Sequence, residues 1–223
     1  GEISRTMGQM SSLAHALQSE DETLLDRAHG HRRDGDITTA IAEARAVRAR
    51  TDDPAERAEA LRDATLSVSG DLNLEMGGPG FQLFGFEDDH SPRYLYGEAD
   101  LEDTGTHRRS VYRFVVRSVP DPWMTAFDCA DPSHCTPARS ETTTPLQALA
   151  LLNDRFMLRQ AERFAARVQA EAPRDPVTLA ARLAWQREPD LAEQLFLRDH
   201  AQEHGLAAVC RVLFNSNEFL YVD

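Results

Sequence analysis

The feature that most constrains this chain is the punctuation of its C-terminal third. Thr144-Pro145, Asp175-Pro176 and Pro189-Asp190 each set a capping residue beside a proline, and Gly205 interrupts the run that follows. A Thr or Asp side-chain oxygen satisfies a first-turn N–H, and proline at the first helical position loses no bond that a helix would have made. Each pair therefore marks a helix start. Leu146, Leu149, Leu152, Phe156, Phe164 and Val168 recur at helical spacing and predict one long helix from Pro145 to about Ala170. Arg155, Arg159, Glu162, Arg163 and Arg167 lie on its outer face. Leu179, Leu183 and Trp185 belong to a second helix, a third runs from Pro189-Asp190 to Gly205, and a last reaches about Phe214. Short connections between such helices predict an antiparallel helical subdomain.

Upstream the pattern loosens. Asp53-Pro54 predicts a helix start, with Glu56 and Glu59 near its positive end, Ala58, Leu61, Ala64, Leu66 and Val68 on its apolar side, and Gly70 as its stop. Asn73 to Gly80 reads as a connecting loop. Residues 81–107 read as irregular, with Phe81, Phe84, Phe86, Tyr94 and Tyr96 anchoring them to a core or, alternatively, forming a platform for stacking sugars. The β-branched and aromatic run from Ser110 to Val119 predicts a strand, ended by Pro120 and Pro122. Residues 1–54 carry helix-like stretches at Met7–Leu17 and Ile37–Arg50 with thin apolar faces. They are expected to be weakly helical or partly disordered, ahead of a domain over 55–223. The expected fold is mainly α, an antiparallel helical subdomain with a short strand and long irregular packing arms.

The formal net charge is −13, and all 24 basic residues are Arg. The absence of Lys points first to a GC-rich genome. The arginines are dispersed along the chain, so an acidic surface without a basic patch argues against nucleic-acid binding. No apolar run is long enough to span a membrane.

Polar chemistry concentrates in Asp128-Cys129-Ala130-Asp131-Pro132-Ser133-His134-Cys135-Thr136-Pro137-Ala138-Arg139. Four readings of its thiols stand open: a zinc site using Cys129, His134 and Cys135, a local Cys129–Cys135 disulfide in an exported protein, a His134–Cys135 nucleophile pair, or two free thiols in a loop. The C-x5-C spacing departs from the usual zinc knuckles, and Cys210, in an apolar helical run, reads as a buried thiol. Asp128, His134 and Arg139 are the candidate catalytic residues. The first two could move protons, and the guanidinium could hold an anionic group. Asn153, Asn215 and Asn217, beside strong apolar runs, are expected to bond helix-end backbone groups.

Three stretches together resemble a known family. They are Glu59-Ala60-Leu61-Arg62-Asp63-Ala64 through Gly70 and Met76-Gly77-Gly78-Pro79; Arg108-Arg109-Ser110-Val111-Tyr112 through Phe127-Asp128, Cys135 and Arg139 to Thr143-Thr144-Pro145-Leu146-Gln147-Ala148-Leu149 and Leu152-Asn153-Asp154; and Leu213-Phe214-Asn215-Ser216-Asn217-Glu218-Phe219-Leu220-Tyr221-Val222-Asp223. In order and spacing they are similar to the planctomycete-type domain of unknown function 1553, over residues 56 to 223. The resemblance implies the C-terminal part of a large exported bacterial protein, often with domain of unknown function 1549 upstream and a planctomycete cytochrome c domain before it. It implies haem c in an upstream domain, no cofactor in this chain, and upstream domains and glycans as partners. Polysaccharide handling is suggested by the genes that accompany the family. No catalytic residue is established for the family, so none carries over. Two functions are expected: a structural or binding module linked to complex polysaccharide, or part of an enzyme whose site joins the 128–139 loop to upstream residues. Two departures stand out: Cys129 adds a thiol where the family has an FDAPD-like segment, and the first half-hundred residues match poorly.

Overall fold

A computed structural model describes residues 57–129 and 144–220. The architecture is mainly helical, with a small two-stranded sheet. In chain order the elements are helix α1 (Arg57–Ser69), strands β1 (Gly85–Glu87) and β2 (Arg93–Leu95), a short helix α2 (Pro122–Ala126), then α3 (Pro145–Asn153), α4 (Arg155–Glu171), α5 (Pro176–Trp185), α6 (Leu191–His204), α7 (Leu206–Phe214) and α8 (Asn217–Leu220).

The predicted punctuation forms as caps. Thr144 accepts from the Gln147 backbone N–H while the Gln147 side chain accepts from the Thr144 N–H, and Asp190 and Glu193 make the same reciprocal pair ahead of α6. Asp175 caps α5 through the Thr178 N–H, and Gly205, at φ 85°, joins α6 to α7. Gly70 ends α1 at φ 84°. Asn153 and Asn215 bond the Leu149 and Arg211 carbonyls of their own helices. The Asp53-Pro54 start, and the whole 1–54 segment, lie outside the described residues.

The long helix expected from Pro145 to Ala170 is two helices. Asp154 leaves helical geometry, with ψ 137°, and its carboxylate accepts from the Phe156 N–H, so it ends α3 and caps α4. A short carboxylate that can bond its own following backbone offers an alternative to the helix, and here it takes it.

The core gathers around α4, which packs on α1, α5 and α7, while α7 also packs on α5 and α6. Phe164, Val168, Ala180, Val209 and Leu213 are wholly buried there, and the Phe164 and Phe214 rings stack with centroids 5.5 Å apart. Burying each large apolar side chain contributes roughly 1.5–3 kcal/mol. Helix α1 is buried almost all round although it carries Arg62, Asp63, Thr65, Ser67 and Ser69. Its polar groups are paired inside: Thr65 Oγ1 donates to the Leu61 carbonyl, and Ser69 Oγ donates to Gln160 Oε1 on α4. Arg167 of α4 donates to the Ser67 and Val68 carbonyls, which the end of α1 leaves without helical partners.

The strand expected over 110–119 does not form. Ser110–Tyr112 is a 3-10 turn, Arg113 makes one isolated bridge to Phe81, and Val111, Phe114, Val115 and Val119 are exposed. The Asp63 carboxylate draws in both the N–H and the hydroxyl of Ser110, at 2.7 Å each. That closes the turn where a ladder would have begun. The sheet lies instead in the segment read as irregular, as an antiparallel pair with Gly85 opposite Leu95, Phe86 opposite Tyr94 and Glu87 opposite Arg93. Asp88, Asp89, His90, Ser91 and Pro92 between the strands are turn-forming residues.

Candidate functional site

Arg62 of α1 is 3% exposed and organises the arm that covers this helix. Its guanidinium donates to the Thr106 carbonyl at 2.6 Å, the Arg108 carbonyl at 3.0 Å and Ser110 Oγ at 3.3 Å. The Phe81 and Phe156 rings lie 5.1 and 5.6 Å from it. Burial lowers its pKa to about 10, against the pull of neighbouring Asp63. A second arginine does similar work beside it: Arg108 donates to the Glu75, Gly77 and Pro79 carbonyls and lies 4.1 Å from the Tyr112 ring centre. The glycine-rich loop is thereby wrapped around a guanidinium. Gly80 has no room for a side chain, since a Cβ would stand 2.8 Å from the Tyr112 carbonyl oxygen.

Beside Arg62 a cavity of about 280 Å³ opens between the arm, α2 and the α3–α4 junction. That is close to the lower end of the range for small-ligand sites, roughly 300–1,000 Å³. Tyr96, Trp123 and Phe156 supply its aromatic wall; Asp121, Asp154 and Arg155 join Arg62 as its charged groups. Asp121 is placed by α2, which it caps through the Trp123 and Met124 N–H groups, and its other oxygen is 3.7 Å from Arg113. Trp123 packs on Phe127 with centroids 4.7 Å apart, and on Phe156 at 6.0 Å. Tyr96 is fixed by donating its hydroxyl to the Val119 carbonyl, and Arg155 by donating to the Gly97 carbonyl. Burial raises the Asp154 pKa, opposed by the Phe156 and Met157 backbone N–H groups and reinforced by Asp121. The lining sets three aromatic side chains beside two cationic and two anionic ones, and both guanidinium groups also donate to the arm. Balanced charge and mixed donors and acceptors suit a neutral, hydroxyl-rich ligand.

The sequence-derived candidates fall elsewhere. Asp128, at φ 60°, accepts from Gln147 Nε2 at 3.0 Å and so ties the end of α2 to α3. Cys129 Sγ lies 3.3 Å from Glu59 Oε1, tying the same segment to α1. His134, Cys135 and Arg139 lie outside the described residues, as do the zinc, disulfide and nucleophile-pair readings that need them. Among the described residues no cluster of His, Cys, Asp and Glu could hold a metal, and no helix is long and apolar enough to cross a membrane. Cys210 is wholly buried, and burial pushes its thiol pKa up to about 12.

Arg62, Asp121 and Asp154 are not among the sequence-derived candidates. Asp121-Pro122 carries the same cap-and-proline signal as Asp175-Pro176 and opens α2 where the sequence pattern predicts only the end of a strand.

The family model described as PSD1, protein of unknown function (DUF1553), matches residues 30–201, and the chain belongs to that family. The match begins inside the segment expected to fit poorly. No curated protein and no solved structure matches the chain.

Proposed function

We propose, from the chain's membership of the DUF1553 family and the cavity beside Arg62, that this is a structural and binding module of a larger exported bacterial protein. Its ligand is a neutral sugar residue of a complex polysaccharide. What supports the reading is the lining of the cavity: Tyr96, Trp123 and Phe156 give it an aromatic wall, and the Asp121 and Asp154 carboxylates stand in it with their charge balanced by Arg62 and Arg155. Aromatic rings bury the apolar face of a sugar, and fixed polar groups at their edge select its hydroxyls. The upstream partners are the remaining domains of the parent protein, one of them carrying haem c.

Calorimetric titration of the chain with neutral and sulfated saccharides tests this. Neutral sugars should bind, and Trp123→Ala should abolish the heat while circular dichroism stays unchanged. No binding at millimolar sugar, or equal binding by the variant, would sink the proposal.

One observation favours a second reading, an enzyme whose site uses the 128–139 loop: Asp128 holds a left-handed backbone, a conformation found at functional sites. Turnover by the full-length parent protein that survives Asp128→Ala intact would end that reading.

A further inference from the structure

We infer that the cavity beside Arg62 is a hydrolytic site as well as a binding site, in which Asp154 is the general acid and Asp121 the general base that cleave a glycosidic bond of a neutral saccharide. The inference rests on the sugar-binding reading above and adds a reaction to it.

Two carboxylates line the one cavity, and each caps a helix, Asp121 that of α2 and Asp154 that of α4. Both caps are made by Oδ1. Asp121 Oδ1 accepts from the Trp123 and Met124 N–H groups, and Asp154 Oδ1 accepts from that of Phe156. Capping fixes the two side chains on rigid elements, as a catalytic pair requires, and leaves Oδ2 of each for a ligand. The Asp121 charge acts on Arg62, Tyr96 and Asp154, three other members of the lining. The two carboxylates therefore share one space, with an aromatic wall to seat a sugar ring between them.

Their surroundings differ in the way that acid and base catalysis needs. The Asp121 side chain is 9% exposed, and its Oδ2 lies 3.7 Å from the Arg113 guanidinium. Arg113 is itself 6% exposed, and its guanidinium makes no hydrogen bond among the described residues, with Nε buried and unpartnered. Arg62 and Arg108 are buried as donors to the arm; Arg113 is buried facing a lining carboxylate, with its donors unspent. A charge inside a fold needs a counter-charge, and the two supply one another. Asp154 makes no ion pair among the described residues. Burial raises its pKa, Asp121 adds to the rise, and Arg155 opposes it. One carboxyl group is thus held beside a cation while the other is pushed towards its protonated form, the division of roles on which acetal hydrolysis depends.

In the reaction Asp154 gives its proton to the glycosidic oxygen as the C1–O bond breaks, and the leaving sugar keeps the bonding electron pair. Asp121 takes a proton from a water molecule, whose oxygen forms the new bond to C1. One water is consumed, and proton exchange with solvent restores both carboxyl groups.

The test is release of new reducing ends from di-, tetra- and hexasaccharides of gluco-, manno-, galacto- and xylo-series by the full chain, run beside calorimetry of the same sugars. A series that binds should be cut. Asp154→Asn and Asp121→Asn should each lower kcat by about a hundredfold or more, the scale of a lost general acid or base. Asparagine caps a helix as well as aspartate does, so the circular dichroism of both variants should match that of the parent chain. Saccharides that bind and are recovered uncut would overturn the hydrolytic reading and leave the binding reading standing. So would cleavage that both variants carry out at the full rate. Failure of every saccharide either to bind or to be cut would remove the binding reading as well.

Discussion

The helices α4 to α7 and the arm spanning residues 70–129 are held by opposite means. Among the helices, the core contact is apolar: Phe164, Val168, Ala180, Val209 and Leu213 exclude water, and regular helix geometry satisfies most backbone polar groups internally. The arm has little regular structure, so its carbonyls lack ladder partners and need donors from elsewhere. Arginine side chains supply them. Arg62 serves the Thr106 and Arg108 carbonyls, Arg108 serves Glu75, Gly77 and Pro79, and Arg155 serves Gly97. A planar guanidinium with five donors can reach several carbonyls at once, which a lysine ammonium does less well. A chain whose basic residues are all Arg is thus equipped to pin irregular backbone, whatever set its codon usage. An arm held this way is a small number of polar fixings, each of which can be removed singly.

The sharpest test of that contrast is Arg62→Met. It keeps the apolar stem but strips three acceptors of their donor beneath the arm, and should cost about 3–5 kcal/mol by denaturant unfolding. Amide exchange should accelerate first in residues 104–114 and last in α4 and α7. Uniform acceleration across both regions would show that arm and helices are one cooperative unit.

Arg108→Met should act more locally, at about 1–3 kcal/mol. Exchange and proteolysis should rise within residues 74–80, with α4 to α7 unchanged. Protection of that loop in the variant would mean that its own turns hold it, without the guanidinium.

The smallest effect probes the apolar region through pH. The Cys210 pKa is raised to about 12 by burial, so the folded state keeps its proton where the unfolded chain loses it. The group therefore contributes stability that is present below its ordinary value near 9 and is lost as pH rises towards 12. Arg62, lowered to about 10, works the other way above that pH, because there the unfolded chain holds the extra proton. Between pH 9 and 10 the thiol dominates, and unfolding free energy should fall by on the order of 1 kcal/mol. Cys210→Ala should flatten that slope; an unchanged slope would place the titrating group elsewhere.

Local sequence set the helix starts at Thr144-Pro145, Asp175-Pro176 and Pro189-Asp190, because capping is settled within four residues of chain. Thr144, Asp175 and Asp190 act as read, and so does Gly70. The break at Asp154 was written in the same local code but masked by the leucines and phenylalanines on either side. What the tertiary structure alone decided is the path of the arm and the cavity beside it. Ser110 to Val119 has the residues of a strand, yet the Asp63 carboxylate, 47 residues away, pulls its start into a turn. Arg62 becomes a buried donor only because the arm folds over it and supplies carbonyls. The cavity needs Tyr96 from the arm, Asp121 and Trp123 from α2, and Asp154 to Phe156 from the α3–α4 junction. Those residues are distant in sequence, and no periodicity or local propensity encodes their meeting. It follows from which buried acceptors each guanidinium can reach once the helices have packed.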